Sequence, residues 1–103
     1  MINRTRKGNA RQRQARRKLE ADGWQVITAK RSSQWDTEID FFGLFDLCAY
    51  RDGYFLWVQV KSNQCPNEVR ERIRAFMTDG VFVRRELWIY KDYSREGPVI
   101  ERL

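Results

Sequence analysis

The chain has 103 residues, enough for one domain with one modest core and no separate substrate domain. It contains no histidine, which excludes Ser-His and Cys-His nucleophiles and leaves a zinc site with too few soft ligands. Its formal net charge is +6, and no apolar run approaches the roughly 18 residues of a membrane span. We therefore expect a soluble, cytoplasmic protein.

Positive charge is concentrated at the N-terminus. Residues 1–18 carry eight basic side chains and no acid, whereas the rest of the chain has a net charge of −2. Arg outnumbers Lys 15 to 5, and the planar guanidinium suits phosphate oxygens. A tail that only aids solubility is the simpler alternative. The composition favours phosphate contacts with nucleic acid, made by Arg4, Arg6, Lys7, Arg11, Arg13, Arg16 and Arg17.

A first helix is predicted over residues 7–22, after a basic arm at 1–6, because strong helix formers run without proline up to Gly23. Ala15 and Leu19 fall on one face at a spacing of one turn. Gln12 lies on the same face one turn earlier, so we expect its side chain to point inward.

Two strands are predicted to form a hairpin in the middle of the chain. Alternating polarity at 24–29 favours a first strand, and the mixed polarity of 30–43 favours a long mobile loop. The β-rich runs 45–51 and 54–61 flank Asp52-Gly53, a strong signal for a two-residue turn. That turn places Asp46 opposite Gln59.

The last third of the chain predicts a helix and two closing strands. Pro66 suits the first turn of a helix that reaches about residue 78, with an apolar stripe that we interpret as core. Residues 85–93 and 98–103 favour strands. The prediction is an α/β domain spanning 1–103, with a central mixed sheet of about five strands flanked by two helices. The stripe consists of Val69, Ile73, Phe76 and Met77.

Three polar side chains are predicted to meet on the hairpin. Alternation puts Gln59 and Lys61 on one face of their strand, and the register brings Asp46 beside them. An Asp–Lys ion pair that only satisfies half-buried groups is one interpretation. The other is hydrolysis of a phosphodiester with a hard cation, Mg²⁺ or Mn²⁺, held by Asp46, the Gln59 side-chain oxygen and the Val60 carbonyl. Lys61 would orient the water and neutralise developing charge.

The spacing from Asp46 to Gln59-Val60-Lys61 resembles the PD-(D/E)XK nuclease signature. Upstream, Arg6-Lys7-Gly8, Gln12-Arg13 and Asp22-Gly23-Trp24 resemble the first helix of archaeal Holliday junction resolvases. Residues 29–32 resemble the mobile loop of that family. The resemblance implies that Gln12 and Ser32 are catalytic and that Lys30 and Arg31 contact nucleic acid.

This chain departs from the family at two positions. Gln12 stands where those resolvases usually have a glutamate, and Gln59 stands where they have an acidic residue. The missing charge could come from an acid of the 30–43 loop, and the alternative for those acids is a solvated surface. The candidates are Asp36, Glu38 and Asp40.

The resemblance, which includes phage-encoded relatives, implies a structure-selective endonuclease of recombination and repair that resolves four-way DNA junctions by paired nicks as a homodimer. Two alternatives stay open. One is a nuclease of the same fold that acts on other branched or linear DNA, and the other is a non-catalytic DNA-binding module. Excess hydrophobic residues that could serve a dimer interface are Phe41, Phe42, Leu44, Phe45, Trp88 and Tyr90.

Overall fold

Two helices and five strands make up the computed structural model, which describes residues 4–28, 41–76, 82–92 and 96–103. In chain order the elements are α1 (Arg4–Ala21), β1 (Gln25–Thr28), β2 (Leu47–Arg51), β3 (Tyr54–Ser62), α2 (Asn67–Ala75), β4 (Val83–Tyr90) and β5 (Val99–Arg102). The predicted α/β class is confirmed.

The five strands form one sheet in which spatial order follows chain order. β1 with β2, β2 with β3 and β4 with β5 are antiparallel, whereas β3 and β4 are parallel. α2 lies in the connection from β3 to β4, because parallel neighbours need a long crossover. The predicted mixed sheet is confirmed, with β3 at its centre.

The β2–β3 hairpin has the predicted turn and register. Asp52 and Gly53 both have positive φ, 52° and 85°, which a type I′ turn requires. Arg51 pairs with Tyr54, and Leu47 pairs with Val58. Asp46 departs from this register: its N–H donates to the carbonyl of Val58, which already pairs with Leu47, so the predicted placement of Asp46 directly opposite Gln59 is wrong.

α1 begins at Arg4, earlier than predicted, so residues 4–6 of the predicted arm are helical. Arginine is a good helix former, which lets the helix extend in this direction. Ala15 and Leu19 are buried, as the spacing predicts. Gly23 (φ 90°) ends the helix, and the Trp24 N–H donates to the Leu19 carbonyl at 3.0 Å.

The two faces of the sheet bury different clusters, because successive side chains of a strand point to opposite sides. On the α1 face, Leu56, Val58 and Val60 of β3 pack with Ala15 and Leu19. On the α2 face, buried Leu87 and Ile89 of β4 pack with Ile73 of α2. Gln59 pairs with Leu87 and Lys61 with Ile89 in the parallel ladder, so Gln59 and Lys61 belong to the α2 face.

α2 is shorter than predicted. It ends at Ala75, and Phe76 already has extended backbone with ψ 121°. The predicted stripe is core: Ile73 is fully buried, and Val69 and Phe76 pack beside it. Met77 lies outside the described residues.

The predicted dimer-interface set is mostly part of the core. Phe45 packs its ring against Trp57 and Phe76, at centroid distances of 5.7 and 5.0 Å. Phe42 is 68% exposed, and Phe41 is half-buried. The prediction is wrong for the four residues that the chain itself buries, which are Leu44, Phe45, Trp88 and Tyr90.

Candidate active site

The site lies where strands β2 and β3 separate, since β2 begins at Leu47 while β3 continues to Ser62. We call this place the fork. Asp46 stands at this fork. Its main-chain N–H donates to the Val58 carbonyl at 2.9 Å. Its Oδ2 accepts a hydrogen bond from the Val60 N–H at 2.8 Å. The carboxylate therefore lies against the edge of β3, where it satisfies a main-chain donor that would otherwise need a strand partner.

Gln12 reaches the same carboxylate from α1. Its Nε2 donates to Asp46 Oδ1 at 3.1 Å. The predicted inward orientation of Gln12 is confirmed, and the contact joins residues 34 positions apart. Since hydrogen bonds fix both carboxylate oxygens, the orientation of Asp46 depends on the docking of α1 as well as on β3.

Gln59 lies on the α2 face of β3. It is only 9% exposed, and its amide has no hydrogen-bond partner within the described residues. Buried amides are nearly always paired, because an unpaired one loses its bonds to water without replacement. Gln59 thus has unused hydrogen-bonding capacity at the fork.

Lys61 follows on the same face and is half-buried. In the part of the chain that the structure describes, its ammonium takes part in no ion pair, so the predicted Asp46–Lys61 pair is not formed. Burial raises the pKa of the neighbouring Cys65 thiol, and the positive charge of Lys61 opposes that rise. Lys61 therefore brings a positive charge to the α2 side of the fork.

A second network, which the sequence did not predict, ties the elements around the fork together. Asn63 has a left-handed backbone (φ 67°), and its side chain bonds both the main chain and the carboxylate of Asp92, at 2.8 and 3.0 Å. Asp92 also pairs with Arg11 at 2.9 Å. Arg11 is adjacent to Gln12 in α1, so this network positions the helix relative to the ends of β3 and β4.

The predicted phosphate-binding residues have different surroundings. Arg13 and Arg17 are exposed and form no ion pair with any described residue. Arg16 pairs with Glu20 at 3.0 Å on the surface of α1, and Arg11 is held by Asp92. Arg13 and Arg17 are therefore the most available of the described set. The side chains of Arg4, Arg6 and Lys7, and the residues Lys30, Arg31, Ser32, Asp36, Glu38 and Asp40, lie outside the described residues.

Asp46, Gln59 and the Val60 carbonyl offer oxygen donors of the kind that a hard cation takes. Across the described ranges no three acidic or cysteine side chains are grouped, so a cation here would rely on Asp46 and on uncharged oxygens. The buried, unpartnered amide of Gln59 suits that role, because Mg²⁺ takes amide as well as carboxylate oxygens. Val60 contacts the site through its N–H, and its carbonyl as a third ligand stays a prediction.

Comparison with known proteins adds no relative. The sequence matches no protein-family model, and no curated protein or solved structure is similar to it. Among the described residues, neither helix is long and apolar enough to cross a membrane. The function must therefore be argued from the fork itself.

Proposed function

We propose that this protein is a metal-dependent endonuclease of the PD-(D/E)XK type, which nicks four-way DNA junctions as a symmetric homodimer. One observation carries the proposal. At the fork a carboxylate is held from two sides, while the buried amide of Gln59 on β3 has no hydrogen-bond partner among the described residues. A buried amide is costly to leave unsatisfied unless a ligand completes it.

The residues divide the chemistry between them. Asp46 and Gln59 would hold Mg²⁺ or Mn²⁺, which when bound polarises the phosphate and favours ionisation of water. Gln12 keeps Asp46 oriented. Lys61 orients the attacking water and balances the negative charge that develops on phosphorus-bound oxygens. The water oxygen bonds to phosphorus as the bond to the leaving ester oxygen breaks. One water proton ends on that leaving oxygen and the other in solvent.

The dimer follows from the geometry of the substrate. A four-way junction presents two symmetry-related strands, and two sites related by a two-fold axis can cut both. A dimer has a mass of about 25 kDa, twice the 12.5 kDa of the chain. Because the four buried residues are excluded, its interface must draw on exposed apolar side chains such as Ile27, Phe42, Phe55 and Phe82.

The test is incubation of the purified protein with a synthetic four-way junction and with linear duplexes of the same arm sequences, with and without Mg²⁺ or Mn²⁺. Paired symmetric nicks in the junction, dependent on metal, are the expected result. Equal cutting of junction and duplex would show that the protein is a general nuclease without selectivity for junctions. Tight DNA binding without cleavage under either metal would overturn the proposal of an enzyme and favour a non-catalytic DNA-binding module.

A further inference from the structure

A groove on the α1 face lies away from the fork, between the C-terminal part of α1 and strands β3 to β5. α1 packs over β1, β2 and β3, and beside it Arg84 of β4 and Ile100 and Arg102 of β5 are exposed. The groove has a volume of about 340 Å³, and Leu56 and Trp88 lie in its floor. Its charged lining residues are Lys18, Asp22, Arg51, Arg84, Glu86 and Arg102.

Four cations and two acids line this groove, and the acids do not neutralise the cations. Glu86 is 7% exposed, and its Oε1 accepts a hydrogen bond from Trp88 Nε1 at 2.9 Å. Its Oε2 is 3.6 Å from Arg102 Nε. Lys18 and Arg84 form no ion pair with any residue in the described ranges. The residues that line the groove therefore carry a net positive charge.

Three arginines outside the groove are paired more closely than Arg51 and Arg102. The N–O distances are 2.9 Å for Arg11–Asp92, 3.0 Å for Arg16–Glu20 and 2.8 Å for Arg70–Glu101. In the groove the two closest approaches are 3.6 Å for Arg102–Glu86 and 3.9 Å for Arg51–Asp52. A groove that concentrates one sign of charge attracts a counter-ion, so the missing partner is an anion.

The arrangement suits an extended polyanion with planar groups. Arg84 and Arg102 come from adjacent strands on the same face, while Lys18 and Arg51 form the opposite wall. The Arg51 guanidinium stacks over the Trp24 ring at 4.6 Å and bonds the Asp22 carbonyl, which fixes it in place. Cations distributed along two walls can contact successive phosphates, whose charges repeat every ~3.4 Å along one strand of duplex DNA.

We propose that this groove binds the phosphodiester backbone of a DNA duplex arm. Leu56 in the groove and Val60 at the fork are four residues apart on β3, or roughly 13 Å at the rise of a strand. One arm can therefore contact the groove about four base pairs from the fork. The delivery of that arm to a cleavage site rests on the proposed nuclease function, whereas binding by the groove does not.

The test measures binding to a fluorescent 24-base-pair duplex and to a four-way junction in EDTA, so that no hydrolysis occurs, across a range of salt concentrations. The double variant Arg84→Gln/Arg102→Gln should flatten the plot of log affinity against log salt by roughly two units, since each lost phosphate contact removes about 0.9. The matched control is Arg74→Gln, an exposed arginine of α2 on the other side of the sheet, which should leave the slope unchanged.

A substitution that makes the groove more positive provides a second test. Glu86→Gln keeps an acceptor for Trp88 but removes a negative charge from the groove, so it should tighten DNA binding several-fold. Circular dichroism and melting temperatures establish that each variant is folded. An unaltered salt slope in the double variant would overturn the proposal. Displacement of DNA by poly-glutamate at equal charge concentration would overturn the assignment to nucleic acid.

The outcomes separate the groove from the nuclease. If wild-type protein cuts junctions and the double variant binds DNA like wild type, the nuclease proposal stands and the groove proposal fails. If wild-type protein never cuts and the double variant loses salt-dependent binding, the groove proposal stands and the nuclease proposal fails.

Discussion

Two polar clusters in this protein are built in opposite ways. Between α2 and β5, the Arg70 guanidinium donates to both oxygens of Glu101 at 2.9 and 2.8 Å and to the Cys65 carbonyl at 2.8 Å. At the fork, Gln59 and Lys61 have no such partners within the described residues. An ion pair that only stabilises the fold makes its hydrogen bonds within the protein, whereas groups that bind a ligand keep hydrogen-bonding capacity free for that ligand. Substitutions in the first cluster should cost stability, and substitutions in the second should cost activity.

The largest expected effect is at the fork. Asp46→Asn and Lys61→Ala should each lower junction cleavage by roughly 10²- to 10³-fold or more, because each removes charge that acts on the reacting phosphate. Junction affinity in EDTA should change by no more than a few fold. Single-turnover cleavage and anisotropy measure the two quantities.

The matched control for Asp46→Asn is Asp52→Asn in the exposed hairpin turn, where asparagine tolerates the positive φ of 52°. It should cut like wild type. Full activity in a folded Asp46→Asn or Lys61→Ala protein would mean that the fork is not the catalytic centre.

A smaller effect should follow from restoring charge at Gln59. Gln59→Glu adds a carboxylate to an oxygen site, so the Mg²⁺ concentration for half-maximal cleavage should fall several-fold while the maximal rate is kept. Gln64→Glu, at an exposed position just after β3, controls for a general gain of negative charge. The same metal dependence in Gln59→Glu and wild type would remove Gln59 from the metal site.

The smallest effect concerns the α2–β5 pair. The hydrogen bonds from Arg70 lower the pKa of Glu101 below its ordinary value of 4.5. A carboxyl with a lowered pKa in the folded state stabilises the protein above the unfolded value, and that contribution is lost as the pH falls through the folded value. Glu101→Gln should therefore melt a few degrees below wild type at pH 7, and the difference should vanish well below pH 4.5.

Thermal melts over a pH series test this, with Glu71→Gln on the exposed surface of α2 as control. Cleavage per folded molecule should be unchanged in Glu101→Gln. A melting difference that does not shrink as the pH is lowered below 4.5 would show that the pair is not the source of the stability.

The strand positions of Gln59 and Lys61 were predictable because they follow from local rules, whereas Asp46 lies beside Val58 and not opposite Gln59. A two-residue turn sets the register of a hairpin, and alternation sets the face. Gln12 was predictable for a similar reason, since it shares helical spacing with Ala15 and Leu19. The side from which Gln12 approaches Asp46 was not predictable. Gln12 reaches Asp46 from the α1 side, whereas Gln59 and Lys61 belong to the α2 face.

What the sequence did not reveal depends on contacts between distant segments. The Asn63–Asp92–Arg11 network joins three elements and has no sequence period. The burial of Trp88 and Tyr90 arises because α1 covers their face of the sheet near the fork. Hydrophobic content alone cannot distinguish a core residue from an interface residue until the layers are known.

The central place of β3 also has a consequence for how the chain folds. β3 joins β2 through a two-residue turn, whereas its pairing with β4 must await the α2 crossover. Hairpins form within roughly ten microseconds, and long-range parallel pairing is slower. We expect the hairpin to form first and the docking of Gln12 on Asp46 to come late. Until then the β4-side edge of β3 stays unpaired, and unpaired strand edges are prone to aggregation.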